Sequence, residues 1–483
     1  MTHNPGRGAI EDDIVVAVPV ELKRLVAPFE ALIDAARATM RSARGCHAID
    51  YAAIEREVEM RAAEIERATH AELLRSLEVD APLVEINGKS YRAMQMSQGT
   101  YYTMTGPIEV ERRLYREVGE RNGATVDAIS LRVGVVGRGW LPKTAQTMAH
   151  HMQQGTPREA AASAAQAGRL PYSPASFDRV THELGTHWLA EHANIEDQLA
   201  ETCDIPEQAS SVSIALDRVS IPIEEPRKKP PGRPRKNAPK NPVARQFRMA
   251  YCGTVTLHDD DGDGLHTIRY GCMPASDPGA LCTSMANEAF RLLERRPDLA
   301  VSLLADGAPE MWNLLEDAFP TDLFGPVTRR IDFWHLIEKL AVAAKAICGD
   351  EEGRRVLRGW RHDLRRRRGA ADDILARLLD SGCETKWVDS KQPVHDAITY
   401  IQNHRERMNY ADALRQRLPI GSGNVEATCK TLVAVRMKRA GSRWKQPTGE
   451  HIITLRALAL SDRWDPALAK LHATRCTAVR PAA

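Results

Sequence analysis

The spacing of apolar and polar residues changes several times along the chain, and each change marks an element. From Pro19 to about Val79 the sequence is dense in Ala, Glu, Arg and Leu. That stretch predicts two or more amphipathic helices. Val84-Glu-Ile-Asn-Gly-Lys-Ser-Tyr91 then offers an Asn-Gly hairpin turn. A second extended pair is predicted over Gly99–Thr105 and Ile108–Tyr115. Thr156-Pro157-Arg158-Glu159 is a helix start, with Thr as N-cap, Pro at the first helical position and Glu to close a capping box. Its helix runs to Ala167 and into Gly168, and Ser173-Pro174 starts another toward Leu184.

Further on, Ser211–Asp217 alternates like a half-buried strand, with Asp217 at its end. Phe247–Leu257 and Leu265–Met273 predict a β-hairpin, and Pro278–Glu294 a helix. Ala300–Ala305 reads as a buried strand followed by Asp306, and Pro309 opens a helix through Trp312. Val327–Ile331 is a further strand, which gives the order β-β-β-α-β-α-β-α. The interval from His335 to Pro419 is too long for a loop and reads as helical. Its arginine clusters, Arg354-Arg355 and Arg365–Arg368, fall on exposed faces that suit DNA, a second subunit or plain solvent. The glycines of Gly421-Ser422-Gly423 suit a tight loop, with Ser422 or Asn424 capping a helix whose first turn holds Glu426. Beyond Ala467 the expectation is a disordered tail.

Composition narrows the class. A chain of 483 residues should hold several domains. At 43% hydrophobic and 27% charged it is an ordinary globular composition. Net charge is only +2, so the whole is no polycation. The basic residues are instead segregated, which matters more for nucleic-acid binding. Arg227–Arg248 holds nine Lys or Arg and no acid. Nine cysteines without a Cys-x-x-Cys pair argue against a disulfide framework and a zinc site, and fit a reducing cytoplasm. No apolar run approaches the ~20 residues that span a membrane. The N-terminus lacks a basic start followed by an apolar core, so no signal peptide is expected.

Three acids carry the candidate chemistry. Asp217 and Asp306 follow predicted strands, and Glu426 opens a helix. Behind Glu426 come Lys430, Arg436, Lys438, Arg439, Arg443 and Lys445, with no acid among them, and Lys430, Arg436, Lys438, Arg439, Arg443 and Trp444 are the expected DNA contacts of this segment. Carboxylates can hold divalent ions while cations hold phosphates, and two-metal phosphoryl transfer needs about three carboxylates converging on ions about 3.5–4 Å apart. The acidic joint His258–Gly264 imitates an EF-hand opening. Tyr270 stands where that loop needs its Glu and no helices flank it, so it reads as a hairpin turn. Thr156–Leu184 fits either a helix-turn-helix, with Ser176, Arg179 and His182 as DNA contacts, or an ordinary helical hairpin. Pro231-Gly-Arg233-Pro-Arg235-Lys236 reads as an AT-hook for a narrow minor groove or as a solvated basic linker.

These segments resemble a known family. Ser213-Ile-Ala-Leu-Asp217 with Val219 and Pro222, Ala305-Asp-Gly-Ala-Pro-Glu-Met-Trp312, Ile331-Asp-Phe-Trp-His335, Ile420-Gly-Ser-Gly-Asn-Val-Glu426 and Arg436-Met-Lys-Arg-Ala-Gly-Ser-Arg-Trp444 are similar, in that order, to DDE transposases of bacterial insertion sequences, ISKra type, distantly Mutator-like. The resemblance covers about residues 101–464 and implies an α/β, RNase H-like catalytic core with an all-α insertion, after a mainly α-helical N-terminal region. It implies Asp217, Asp306 and Glu426 as catalytic ligands of two Mg²⁺ or Mn²⁺ ions. Asp332 and His335, similar to an Asp/Cys-x-x-His signature, would support the site or form a buried pair tying helix to sheet. The partners implied are double-stranded DNA, as transposon ends and target, and further copies of the chain; the setting implied is the bacterial nucleoid. Many relatives carry a Cys-x-x-Cys pair where this chain has Arg116–Gly123, which removes zinc from that module.

The expected organisation is a helical region over 1–95, a DNA-binding region over 96–205 with the helix pair at 156–184, a catalytic core over 206–467 and a tail over 468–483. The core would carry a basic loop at 226–246 and the insertion at about 336–418. The rival readings are a non-catalytic DNA-binding regulator derived from a transposase and an RNase H-superfamily nuclease.

Overall fold

The computed structural model describes residues 17–44, 48–225, 232 and 244–482. Two compact units emerge. Of the described residues, one unit takes those up to His151, Thr156–Val180 and His472 onward; the other takes Met152–Gly155 and Thr181–Leu471.

In the first unit, helices span Val26–Ala43 and Tyr51–Ser76, as the sequence predicts. The side chain of Asp50 caps the second by accepting from Ala53 N at 3.1 Å. Strands β1 (Leu83–Ile86), β2 (Lys89–Thr103), β3 (Gly106–Glu117) and β4 (Thr125–Asp127) form an antiparallel sheet in sequence order. Asn87 (φ 50°) and Gly88 (φ 76°) make the tight turn between β1 and β2.

Beside its helices the N-terminal region carries the long strands β2 and β3. Two expectations need correction here. The boundary expected after residue 95 falls inside β2. The tail is ordered: a helix spans Trp464–Arg475, and a last strand, Val479–Pro481, pairs antiparallel with β1 in the register Ile86↔Val479. Val479 is buried in a cluster with Val84, Ile86 and Tyr115. Three residues are too few to show a period, so the sequence pattern cannot reveal this strand.

The helix Pro157–Gln166 begins with the predicted capping box, Thr156 N donating to Glu159 Oε2 at 2.7 Å and Glu159 N to Thr156 Oγ1 at 3.3 Å. Gly168 (φ 63°) turns the chain. The next helix starts at Pro174 but runs to Glu201, well past Leu184.

The second unit is built on a five-stranded mixed sheet. Its strands are β5 (Ser211–Glu224), β6 (Arg245–His258), β7 (Gly264–Cys272), β8 (Ala300–Ala305) and β9 (Thr328–Ile331), in the order β7-β6-β5-β8-β9. The first three are antiparallel, and β8 and β9 add in parallel on the other side of β5. The helices Pro278–Arg295 and Pro309–Ala318 join β7 to β8 and β8 to β9. This is the predicted element order. Val212, Ile214 and Leu216 of β5 are fully buried with Leu303, Met285 and Trp312. A Cβ at Gly253 on β6 would lie 2.2 Å from Met285 Sδ, so that glycine admits the helix.

Four helices, Phe333–Cys348, Asp350–Arg366, Ala370–Asp380 and Pro393–His404, form the predicted all-helical interval. They enclose a core of their own around Leu336, Leu340, Trp360, Ile374, Ile398 and Tyr410. All eight cysteines among the described residues are free thiols.

In the same unit His451, on the helix Gln446–Leu460, brings its Nδ1 to 3.2 Å from Nδ1 of His182. His182, expected to face DNA, is therefore half-buried against another imidazole. Burial, and then the neighbouring His182, push His451 down to about 4. The folded state thus resists a proton that the unfolded chain accepts near pH 6.5. Stability from this group is present above pH 6.5 and is lost as pH falls toward 4, by up to about 3 kcal/mol. Urea unfolding of wild type and His451→Gln between pH 7 and pH 4 should show the smaller acid loss in the variant. Parallel losses would mean that His451 does not carry this dependence.

Candidate active site

The parallel pairing of β5 with β8 ends at Leu216↔Ala305. The next residue in each chain segment is an aspartate, so Asp217 and Asp306 stand at the same level on neighbouring strands, where the parallel pairing stops. Asp217 is not at the end of its strand, as expected, but in its middle. The antiparallel partner β6 continues to pair from Asp217↔Cys252 through Glu224↔Arg245 and keeps β5 extended. Asp217 Oδ1 accepts from Arg218 N at 2.7 Å, and Oδ2 accepts from the Cys429 thiol at 3.4 Å. Asp306 Oδ1 accepts from Ala308 N at 2.9 Å, and its carbonyl accepts from Trp312 Nε1 at 2.9 Å. These bonds fix the turn into the helix Pro309–Ala318. Both aspartates remain partly accessible.

Asp332 ties the third acid to this edge. Its N–H donates to the Ala305 carbonyl at 3.0 Å, directly before Asp306, and Phe333 N donates to Ile420 O at 3.0 Å. The Asp332 carboxylate is fully buried. Oδ1 caps its own helix by accepting from His335 N at 2.8 Å. Oδ2 accepts from both the backbone N–H and the hydroxyl of Ser422, the latter at 2.8 Å. Ser422 does occupy the N-cap position of the helix Gly423–Thr428, but its side chain makes no cap. The expectation is corrected because the hydroxyl is engaged by Asp332. The clasp holds the loop before Glu426, whose N–H donates to Ser422 O at 3.1 Å.

His335 Nδ1 lies 3.2 Å from Asp332 Oδ1 and 3.9 Å from Glu426 Oε1. The Asp332 carboxylate, with Glu426 and Asp306 adding at longer range, raises His335 to about 9 despite its burial. Burial works to raise Asp332, but the bonds from His335 and Ser422 prevail and hold it below the usual carboxylate range.

Among the described residues, the three acidic or imidazole side chains whose ligand atoms gather within 4.8 Å are Asp332, His335 and Glu426. The expected trio shares only Glu426 with them. Asp217 reaches the same helical run through Cys429, three residues after Glu426. There the chain loosens into a π-helical turn, Cys429–Ala434, of the kind frequent at functional sites. Cys252 and burial raise the Cys429 thiol, so it stays protonated and donates. The sequence alone gave no signal for Cys429, since a lone buried cysteine reads as core.

The expected DNA-binding residues divide. Lys430, Lys438, Arg439, Arg443 and, in the other unit, Arg179 are exposed. Arg436 and Trp444 are buried, and their assignment as DNA contacts is corrected. The Arg436 guanidinium stacks 4.7 Å from the Trp444 ring centroid and donates to Met152 O at 3.3 Å, while Trp444 Nε1 donates to Met437 O at 3.1 Å. Their role is to hold the loop after the π-helical turn. Arg233, Arg235 and Lys236 lie outside the described residues. The acidic joint is a turn: Asp259 Oδ1 accepts from Asp261 N at 3.0 Å and from Asp263 N at 2.9 Å.

No protein-family profile and no curated protein matches this chain. Two solved structures overlap it loosely. One is the Drosophila P element transposase strand transfer complex, at 12% identity, covering 70% of this chain and 82% of that one with a TM-score of 0.23. The other is a Mos1 transposase paired-end complex with left transposon end, at 11% identity, 57% and 77% coverage and a TM-score of 0.16. Overlap this loose assigns neither fold nor family. Among the described residues no helix is long and apolar enough to cross a membrane.

Proposed function

We propose that this protein is a DNA transposase that binds the ends of an insertion sequence and catalyses metal-dependent strand cleavage and strand transfer. The observation that carries the reading is the matched register of Asp217 and Asp306, each just after the last paired residue of adjacent parallel strands, with the helix of Glu426 tied to Asp332 through Ser422. The resemblance of the segments around these residues to insertion-sequence transposases supports it. Double-stranded DNA and further copies of the chain are the partners this reading assigns.

Carboxylate oxygens suit a hard divalent cation: those of Asp217, Asp306 and Glu426 are partly accessible, with Asp217 and Asp306 on neighbouring strands, whereas both Asp332 oxygens are already engaged by His335 and Ser422. Asp217, Asp306 and Glu426 would hold two Mg²⁺ or Mn²⁺ ions. Such ions, when bound, supply charge stabilisation for in-line displacement at phosphorus. The chain's own part is to fix the carboxylates and to bind phosphate. Asp332 orients both His335 and the Glu426 loop, and Lys430, Lys438, Arg439 and Arg443 offer exposed cations on the segment behind Glu426.

Incubation with Mn²⁺ and a duplex carrying the element's terminal repeat should yield cleaved and joined strands, and EDTA should abolish both. Binding without cleavage would identify a non-catalytic regulator. Cleavage that never leads to joining would identify a nuclease.

A further inference from the structure

The helix Asp350–Arg366 carries more arginine than its packing uses. Trp360 and Leu364 face the core. Arg355 pairs with Glu352, Arg367 with Asp373 and Arg368 with Asp412. Arg358, Arg361, Arg365 and Arg366 have no carboxylate partner among the described residues, and with His362 and Leu414 they line a groove of about 560 Å³. Positions 358, 361, 362 and 365 share one helical face by their spacing. Four guanidinium groups along one groove, with no carboxylate partner among the described residues, leave negative charge spread over several positions as the missing component.

One lining residue, Arg361, also reaches Trp334: that residue is 48% exposed, and the Arg361 guanidinium lies 5.0 Å from its ring centroid. Trp334 follows Asp332 by two residues, and a Cβ at Gly421 would lie 3.0 Å from Trp334 Cδ1. The indole is thus packed against the loop that carries Glu426, with part of its surface open. Burying this ring would have been the ordinary choice. An open indole backed by a guanidinium is a platform for a flat, unpaired base.

We infer that the groove and Trp334 form a track for an unpaired DNA strand leaving the active site, with phosphates on Arg358, Arg365 and Arg366 and a base on Trp334. Charge complementarity selects the polyanion. The exposed indole selects a strand whose bases are free, because a base inside a duplex offers no open face. This assignment deepens the transposase reading and rests on it.

The test uses full-length protein and two fluorescent DNAs of equal duplex length, one blunt and one with a single-stranded 3′ overhang of about ten nucleotides, within the span such sites cover. Anisotropy titrations at several salt concentrations should show tighter binding of the overhang by wild type. Arg358→Ala/Arg365→Ala/Arg366→Ala should weaken overhang binding by about tenfold or more and lower its log–log salt slope by about 2, at roughly 0.7 per phosphate on single strands. Trp334→Ala should weaken overhang binding by about fivefold, with Trp334→Phe largely restoring it. Blunt-duplex affinity should change little in each case.

Equal losses on both DNAs, or none on either, would overturn the assignment. So would a change confined to self-association in sedimentation, which would give the groove to a second copy of the chain. Metal-dependent cleavage of the blunt duplex by wild type is scored separately. Cleavage without overhang preference refutes the track alone, and overhang preference without any cleavage refutes the transposase reading alone.

Discussion

Asp332→Ala is expected to lower the unfolding free energy by about 2–5 kcal/mol, because each buried donor left without an acceptor costs about 1–3 kcal/mol. The variant strands the Ser422 N–H and hydroxyl, removes the cap at His335 N and deprives the His335 imidazolium of its partner. Ser422→Ala deletes only the hydroxyl, keeps the backbone donor and should cost about 1 kcal/mol. Urea unfolding of the two variants checks the ranking. A loss below 1 kcal/mol for Asp332→Ala would show that the clasp does not hold the loop of Glu426.

Breaking the pair between Glu288 and Arg463 should cost as much. Arg463 meets Glu288 with two bonds of 2.7 Å, and Tyr270 donates to the same carboxylate at 3.1 Å. The Glu288 side chain is 1% exposed and that of Arg463 8%. Glu288→Leu leaves a guanidinium buried without a counter-charge, and Arg463→Met leaves a buried carboxylate with only the tyrosine. Each is expected to lose about 3–5 kcal/mol, while Glu288→Leu/Arg463→Met should lose far less than their sum. Additive losses in a double-mutant cycle would show that the two side chains are independently solvated.

Local rules made much of the fold legible. The Asn87-Gly88 turn, the capping box at Thr156, the β6–β7 hairpin and the Asp306 turn each rest on a few adjacent residues, and each stands where the sequence placed it. What escaped depends on contacts distant in sequence. Asp217 reads as a strand end because alternation fades after it; β6 keeps the strand extended for seven more residues. Arg436 and Trp444 read as a basic face because charge spacing cannot distinguish a solvated guanidinium from one laid on a buried indole. Ser422 reads as a cap until Asp332, ninety residues earlier, accepts its hydroxyl. The Val479–Pro481 strand exists only because β1 has an open edge.

The site follows the same division. The sequence named Asp217, Asp306, Glu426, Asp332 and His335, but it could not tell that His335 and Asp332 would stand nearest to Glu426, or that Cys429 would bond to Asp217. Motifs mark which residues are chemically unusual. The distances among them are set by sheet register and by the loop at Gly421.

The most direct measurement is metal-dependent strand cleavage of a terminal-repeat duplex by Asp306→Asn beside wild type, with DNA binding measured on both. The substitution keeps size and the turn's acceptor oxygen for Ala308 N while removing the charge. Cleavage should fall by about 10³-fold or more, at about 1.4 kcal/mol per tenfold, with affinity for the duplex nearly unchanged. Cleavage by Asp306→Asn at the wild-type rate would contradict the account, because it would take from the site the acid that stands beside Asp217.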